Sequence, residues 1–343
     1  MVRVLVIGAA GFIGFRFSQH LRRANHIVYG TIRNSAKENL LLANEIFPII
    51  GEVESKDNTT PAWIEAIKTH NIDVVVDLTP ILNTNEAILQ PLIRVSKERQ
   101  ALGLPKLGYI YCSGMWCYGS GYEPTSDLSP AGVKTSRHQP PAIIHSRPEV
   151  EHQVVASWEH LTAAVVRPCH VYGGTGKDWD LYFAQIYTEV QKGSTKLTIQ
   201  ANPDTSPGLI HVEDIASALV AAVEKLELVA GRKDQYPVFD VSTSHESLAF
   251  VFRRFAEEVG FSKGGQIDFV GVPTGASLSD LYHQGFSTSI NTGSTRARTL
   301  LGWAPTKAPG FAAGMHIYAK AWVVGFLERQ EKAKGGQVKT LFT

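Results

Sequence analysis

Apolar residues recur along the chain in short unbroken runs, at positions 4–7, 27–29, 74–76, 107–111, 163–166 and 238–241. Runs without polar alternation are what strands buried on both faces of a parallel sheet require. Between them lie amphipathic, helix-length stretches at 15–24, 61–69, 85–100 and 149–159; the second opens with Pro61, suited to a helix's first turn. Strand and helix alternate, which predicts an α/β fold built on a doubly wound parallel sheet. The Pro/Ser/Gly-rich stretch 119–141 reads as a long loop beside that sheet, and loops of such length are usually functional. Beyond residue 170 the pattern loosens into Gly173-Gly174-Thr175-Gly176, a helix near 179–191 and a polar stretch at 202–207. Ile210-His211-Val212-Glu213-Asp214 then begins an alanine-rich helix, and 238–241 returns to a core strand. The expected organisation is a doubly wound domain from 1–170 plus about 209–250, a smaller discontinuous C-terminal substrate lobe from about 171–208 plus 251–332, and a fraying polar tail at 333–343.

Composition narrows the function. The 343 residues suffice for about two domains, and 44% hydrophobic with 19% charged residues is the balance of a globular chain. A net charge of +1 is too small to drive phosphate-backbone binding, so no nucleic-acid partner is expected. Cys112, Cys117 and Cys169 give neither a disulfide framework nor a C-x-x-C metal spacing, which points to a reducing compartment, the cytoplasm, and no metal. The N-terminus shows no signal-peptide pattern, and the apolar stretch at 311–327 is broken by His316 and Lys320, so no membrane partner is expected. The expected partners are a small-molecule substrate and, at most, a second copy of the chain in a homodimer.

The chemistry enters after the first apolar run. Gly8-Ala9-Ala10-Gly11-Phe12-Ile13-Gly14 follows it directly and leads into a helix. In that order Gly8 permits the tight turn, Gly11 lets a pyrophosphate approach the helix N-terminus, and Gly14 allows close helix–strand packing. The domain therefore reads as a dinucleotide-binding Rossmann domain. An NAD site calls for a carboxylate about 20 residues on, to hold the ribose 2′-hydroxyl. The second run instead ends Thr31-Ile32-Arg33-Asn34-Ser35, and the first acidic residue is Glu38. A guanidinium at Arg33 suits a 2′-phosphate, so the cofactor expected is NADP(H).

The glycine spacing Gly8-x-x-Gly11-x-x-Gly14 resembles that of the extended short-chain dehydrogenase/reductase superfamily, the NAD-dependent epimerase/dehydratase group. Four later segments resemble it in order: Tyr109 to Gly119, Arg167-Pro168-Cys169-His170-Val171-Tyr172-Gly173-Gly174, Leu209 to Asp214, and Asn291 to Pro305 with Leu301-Gly302-Trp303-Ala304-Pro305. The resemblance implies the strand order 3-2-1-4-5-6. It also implies cofactor contacts at Gly8, Gly11, Phe12, Ile13, Gly14, Thr31, Arg33, Leu78, Thr79, Cys112, Arg147 and Pro168. Members of the family use a tyrosine, a lysine four residues later that lowers its pKa, and a nearby serine or threonine. None of the tyrosines here has a lysine four positions on. Aligned with the family, Ile143 stands for the tyrosine, Arg147 for the lysine and Gly114 for the serine, with Ser113 one residue upstream.

Replacement chemistry is expected from Ser113, Arg147 and His170. Arg147 can bind but not shuttle protons, whereas an imidazole at His170 would titrate near ~6.5 and serve as acid or base. His145 is the weaker candidate because it lies beside Pro140-Pro141. Met115 and Trp116, where the family usually carries small residues, suggest an apolar or aromatic substrate. The expected function is NADPH-dependent hydride transfer of the reductase or epimerase type with a non-standard proton donor. Two alternatives stand beside it: a non-redox lyase, isomerase or cyclase on the same scaffold, and a protein that senses NADP(H) without turnover.

Overall fold

The structure is a computed structural model, which describes residues 1–54, 59–79, 84–307 and 309–334. Its centre is a parallel sheet of seven strands: β1 (Arg3–Ile7), β2 (Ile27–Ile32), β3 (Phe47–Ile50), β4 (Val74–Asp77), β5 (Leu107–Cys112), β6 (Leu161–Pro168) and β7 (Val238–Val241). They lie in the order 3-2-1-4-5-6-7. Every expected run is a strand, and β7 extends the implied order by one. The β3 strand was not anticipated. It is an edge strand with Phe47 and Ile50 exposed and Pro48 inside it, so it lacks the unbroken apolar run of an interior strand.

The unalternating runs follow from helices on both faces. On one face Val4, Val6, Val76, Ile110 and Val166 pack against α1 (Phe12–Arg23), through Phe17 and Leu21. On the other, Leu5, Val75, Tyr109 and Val165 pack against α2 (Ala62–Thr69), α3 (Gln90–Ala101) and α4 (Arg147–Ala156). Alternate residues of one strand thus belong to different cores, so both faces are mostly apolar. The helix expected over 85–100 is a π-helical turn, Asn85–Leu89, that runs into α3.

A third core lies beside the carboxyl edge of the sheet. It gathers Tyr182, Phe183 and Ile186 of α5 (Asp180–Gln191), and, beyond α6 (Val212–Val229), Val251, Phe252 and Phe255 of α7 (Leu248–Glu258). Phe286 of α8 (Leu278–Phe286) and Met315, Ala319 and Trp322 of α9 (Met315–Ala333) complete it. The α6 helix packs instead on the first face of the sheet through Ile215, Leu219 and Ala222, and Ile290, Ala297, Leu301 and Trp303 join it there. The loop expected over 119–141 carries a two-residue strand, Pro124–Thr125, paired with Asn291–Thr292. That pairing ties the long loop to the late chain. From residue 335 the expected polar tail lies outside the described residues.

Candidate active site at the carboxyl edge

The glycine turn is built as its spacing demands. Gly8 has φ +90°, a left-handed conformation that favours glycine. A Cβ on Gly14 would stand 2.1 Å from the Gly8 carbonyl oxygen, so only glycine lets α1 close on the turn. A Cβ on Gly11 would meet nothing but the Gly8 oxygen at 3.1 Å, which leaves open space on the side facing out of the fold. Gly11 is the N-cap of α1, with no side-chain cap and no acidic residue in the first turn. The amide end is therefore ready for an anion. Thr31 stands behind the turn: its buried hydroxyl accepts the Gly8 N–H at 3.0 Å, so it shapes the loop. Leu78 backs the turn from β4, its carbonyl oxygen 3.2 Å from where a Gly8 Cβ would be. Thr79 donates its hydroxyl to Asp77 at 2.7 Å.

Arg33 is exposed just beyond β2, and its side chain makes no hydrogen bond or ion pair among the described residues. Sequence reasoning missed Lys37, whose ammonium donates to the Ala10 carbonyl at 2.9 Å and so brings a second cation to the glycine turn. Ser35–Lys37 forms a single 3-10 turn capped by Asn34, which holds Lys37 there. A basic residue soon after Arg33 was the only signal available.

Phe12 is half-buried against the core on the first face of the sheet. A Cβ on Gly176 would fall 2.5 Å from its ring, so Phe12 packs on the glycine loop 173–176 that follows β6. This loop is held from the other side by Arg329, which donates to the Thr175 carbonyl at 2.7 Å.

At the ends of β5 and β6 lies a cavity of about 550 Å³. Ser113, Arg147, Pro168 and His170 all line it, so three segments distant in sequence meet there. Cys112 is half-buried at the end of β5, its thiol pushed up to about 12 by burial. Gly114 lies beside the guanidinium: a Cβ there would stand 3.4 Å from Arg147 Nη1, an ordinary van der Waals contact. Arg147 makes no side-chain hydrogen bond or ion pair among the described residues. The nearby carboxyl is Asp77, fully buried and pushed up to about 6 by desolvation, with Thr79 and Arg147 pulling the other way. Ile143, in the tyrosine's place, packs on the sheet core. His145 is exposed, its Nδ1 2.9 Å from the Ala142 carbonyl, and it does not line the cavity.

His170 departs from expectation. Its Nε2 accepts the Trp116 indole N–H at 2.9 Å, and its ring lies 4.7 Å from that of Phe286. Desolvation drives the imidazole down to about 3. The expectation of a group titrating near 6.5 is therefore corrected, because apolar walls disfavour the charged form and the indole needs a neutral acceptor. Trp116, Trp179 and Phe286 form the aromatic wall around it. Met115 is buried beneath.

Among the lining residues that were missed, three carry polar groups. Lys177 and Asp178 follow the glycine loop, and Tyr282 comes from α8. Although Asp178 keeps contact with solvent, the walls around its carboxyl push it up from the usual carboxylate range; Lys177 opposes the shift and Asp180 adds to it. Behind the cavity runs a buried polar chain. Cys117 donates to Glu151 at 3.2 Å, and Glu151 pairs with Arg167. Arg167 donates to the Tyr118 hydroxyl at 2.7 Å, and Tyr118 donates to Asp240 at 2.8 Å. Tyr118 is thus a buried hydrogen-bonding residue that does not line the cavity. Ser113 touches the head of this chain through its hydroxyl, 3.7 Å from Cys117 Sγ.

The architecture, a parallel sheet between layers of helices, is shared with proteins of known structure. The chain superposes on dTDP-glucose 4,6-dehydratase from Bacillus anthracis in complex with NAD with a TM-score of 0.71 at 16% identity, over 97% of this chain and 98% of that one. UDP-glucuronic acid 4-epimerase from Bacillus cereus, in complex with UDP-glucuronic acid and NAD, gives 0.64 at 18% identity, over 94% and 99%. UDP-glucose-4-epimerase from Stenotrophomonas maltophila, with NAD and formylated UDP-arabinopyranose, gives 0.65 at 15% identity, over 96% and 99%. No curated protein matches in sequence. Residues 4–235, more than half of the chain, match one family as a sequence. With the fold and the sequence in agreement, the chain belongs to the NAD dependent epimerase/dehydratase family.

Proposed function

We propose that this protein is an NADP(H)-dependent oxidoreductase that reduces a small aromatic or apolar carbonyl compound without the family's tyrosine. The observation that carries the reading is the cavity, where an open guanidinium and a serine meet an aromatic wall beside an anion-ready glycine turn. When bound, the dinucleotide supplies a hydride. The Gly11 end of α1 would take the pyrophosphate, and Arg33, with Lys37 close to the turn, would take the 2′-phosphate. Arg147 keeps the lysine's binding task by donating to the cofactor ribose. The Ser113 hydroxyl donates to the substrate carbonyl oxygen. His170, neutral and engaged by Trp116, orients the indole as a flat wall for the substrate. The proton on the product hydroxyl then comes from solvent water, since His170 has none to give at neutral pH. The substrates named for the structural neighbours are sugar nucleotides; an aromatic wall of Trp116, Trp179 and Phe286 supports a flatter, less polar ligand here.

The test follows absorbance at 340 nm with NADPH and a panel of aromatic aldehydes and ketones. Consumption of NADPH that falls at least ~10-fold in Ser113→Ala supports the reading. NADPH binding with no carbonyl reduced would favour the cofactor-sensing alternative, which the loss of the Tyr-x-x-x-Lys pair already makes worth the control.

A further inference from the structure

Two cations line the cavity, and among the described residues neither has a side-chain hydrogen bond or ion pair. Arg147 is turned toward Gly114 and Asp77, where the proposed reading gives it to the cofactor ribose. Lys177 is left over. It stands on the loop between Gly176 and Trp179, next to the aromatic wall, and its neighbour Asp178 makes no direct ion pair with it. Asp178 is the one carboxyl among the described lining residues. The rest of the lining near Lys177 is apolar: Trp179, Leu181, Val171 and Phe286. A ligand that fills this cavity strips water from the ammonium, and a desolvated cation is costly unless the ligand brings an anion.

Resting on the NADP(H) reading above, we propose that the substrate is an aromatic carbonyl compound that also carries a carboxylate or comparable single anion, which Lys177 recognises from the glycine loop. The flat body lies against Trp116, Trp179 and Phe286. Lys177 is then a specificity-determining residue, with no part in hydride or proton transfer.

The experiment is titration calorimetry of the full chain at pH 7.5 with three probes of one ring system, 2-naphthoate, 2-naphthalenemethanol and 2-naphthylmethylamine, and with UDP-glucose. The expected result is that 2-naphthoate binds about tenfold more tightly than the alcohol, and that Lys177→Met abolishes the difference while the near-ultraviolet circular dichroism stays unchanged. Asp178→Asn, which removes the opposing charge, should tighten 2-naphthoate about two- to threefold. Equal affinity of acid and alcohol, preference for the amine, an unchanged Lys177→Met, or UDP-glucose binding where 2-naphthoate does not would each overturn the proposal. So would binding of none of the naphthyl probes. A separate NADPH titration of the same protein keeps the two readings apart: its failure refutes the cofactor assignment, whatever the naphthyl series shows.

Discussion

At the scale of single residues, the three glycines of the turn carry different burdens and so should fail differently. Gly14→Ala would place a Cβ 2.1 Å from the Gly8 oxygen and force α1 off the sheet, at a cost of about 3 kcal/mol or more in urea denaturation. Gly11→Val meets only one atom, at 3.1 Å, so the protein should stay folded while NADPH affinity falls beyond ~10-fold in calorimetry. Equal stability losses in the two variants would contradict this division. Arg33→Asp replaces an exposed, unpaired guanidinium with a carboxylate; NADPH should weaken by a few kcal/mol, the scale of a charge-assisted contact turned to repulsion, with NADH little changed. His170→Phe keeps the ring against Phe286 but strips the Trp116 indole of its acceptor. No acidic limb near 6.5 should vanish from the pH profile, because burial already keeps the imidazole uncharged.

The element scale is governed by the buried chain from Cys117 to Asp240, which ties the turn carrying Trp116, the α4 helix and strands β6 and β7 into one unit. Glu151 and Arg167 are each about 1% exposed, so Glu151→Gln leaves a buried guanidinium poorly paired and should cost ~3–5 kcal/mol. Asp240 adds a pH dependence. Burial, only partly opposed by Arg167, raises it to about 7, above the ordinary 3.8 of the unfolded chain. Between those values the folded protein holds a proton that the unfolded chain has lost, so this contribution is full below pH 4 and disappears as pH rises through 7. Stability in urea should decline from pH 5 to pH 8, and Asp240→Asn should flatten the decline. The strands of this unit were legible because burial on two faces leaves them mostly apolar, with Arg167 and Asp240 the charged exceptions. Its hydrogen bonds were not: Tyr118, Glu151, Arg167 and Asp240 are far apart in sequence, and nothing local distinguishes a buried arginine from an exposed one. The β3 strand was hidden for the opposite reason, since an exposed edge with Pro48 reads as a loop.

For the molecule as a whole, the glycine turn and the segments that flank the cavity could be read from the chain, since backbone demands for glycine are local. The chemistry inside the cavity could not, because the state of His170 depends on Trp116 and Phe286, which other parts of the chain deliver. Lys177 and Tyr282 escaped notice likewise, on a loop and a helix whose meeting only the tertiary fold determines. One contact links the two halves of the site: the Phe12 ring, beside Gly11, lies under Gly176, next to Lys177. Its consequence is kinetic. On the proposed reading, the loop that carries Lys177 rests on the residue next to the anion-ready turn, so exchange of the two ligands should be coupled. The expected outcome is a compulsory sequence, with the nucleotide entering first and leaving last. Rapid displacement of NADPH by excess NADP⁺ should slow progressively as 2-naphthoate, which takes no hydride, saturates the cavity, and Phe12→Ala should restore a release rate indifferent to it.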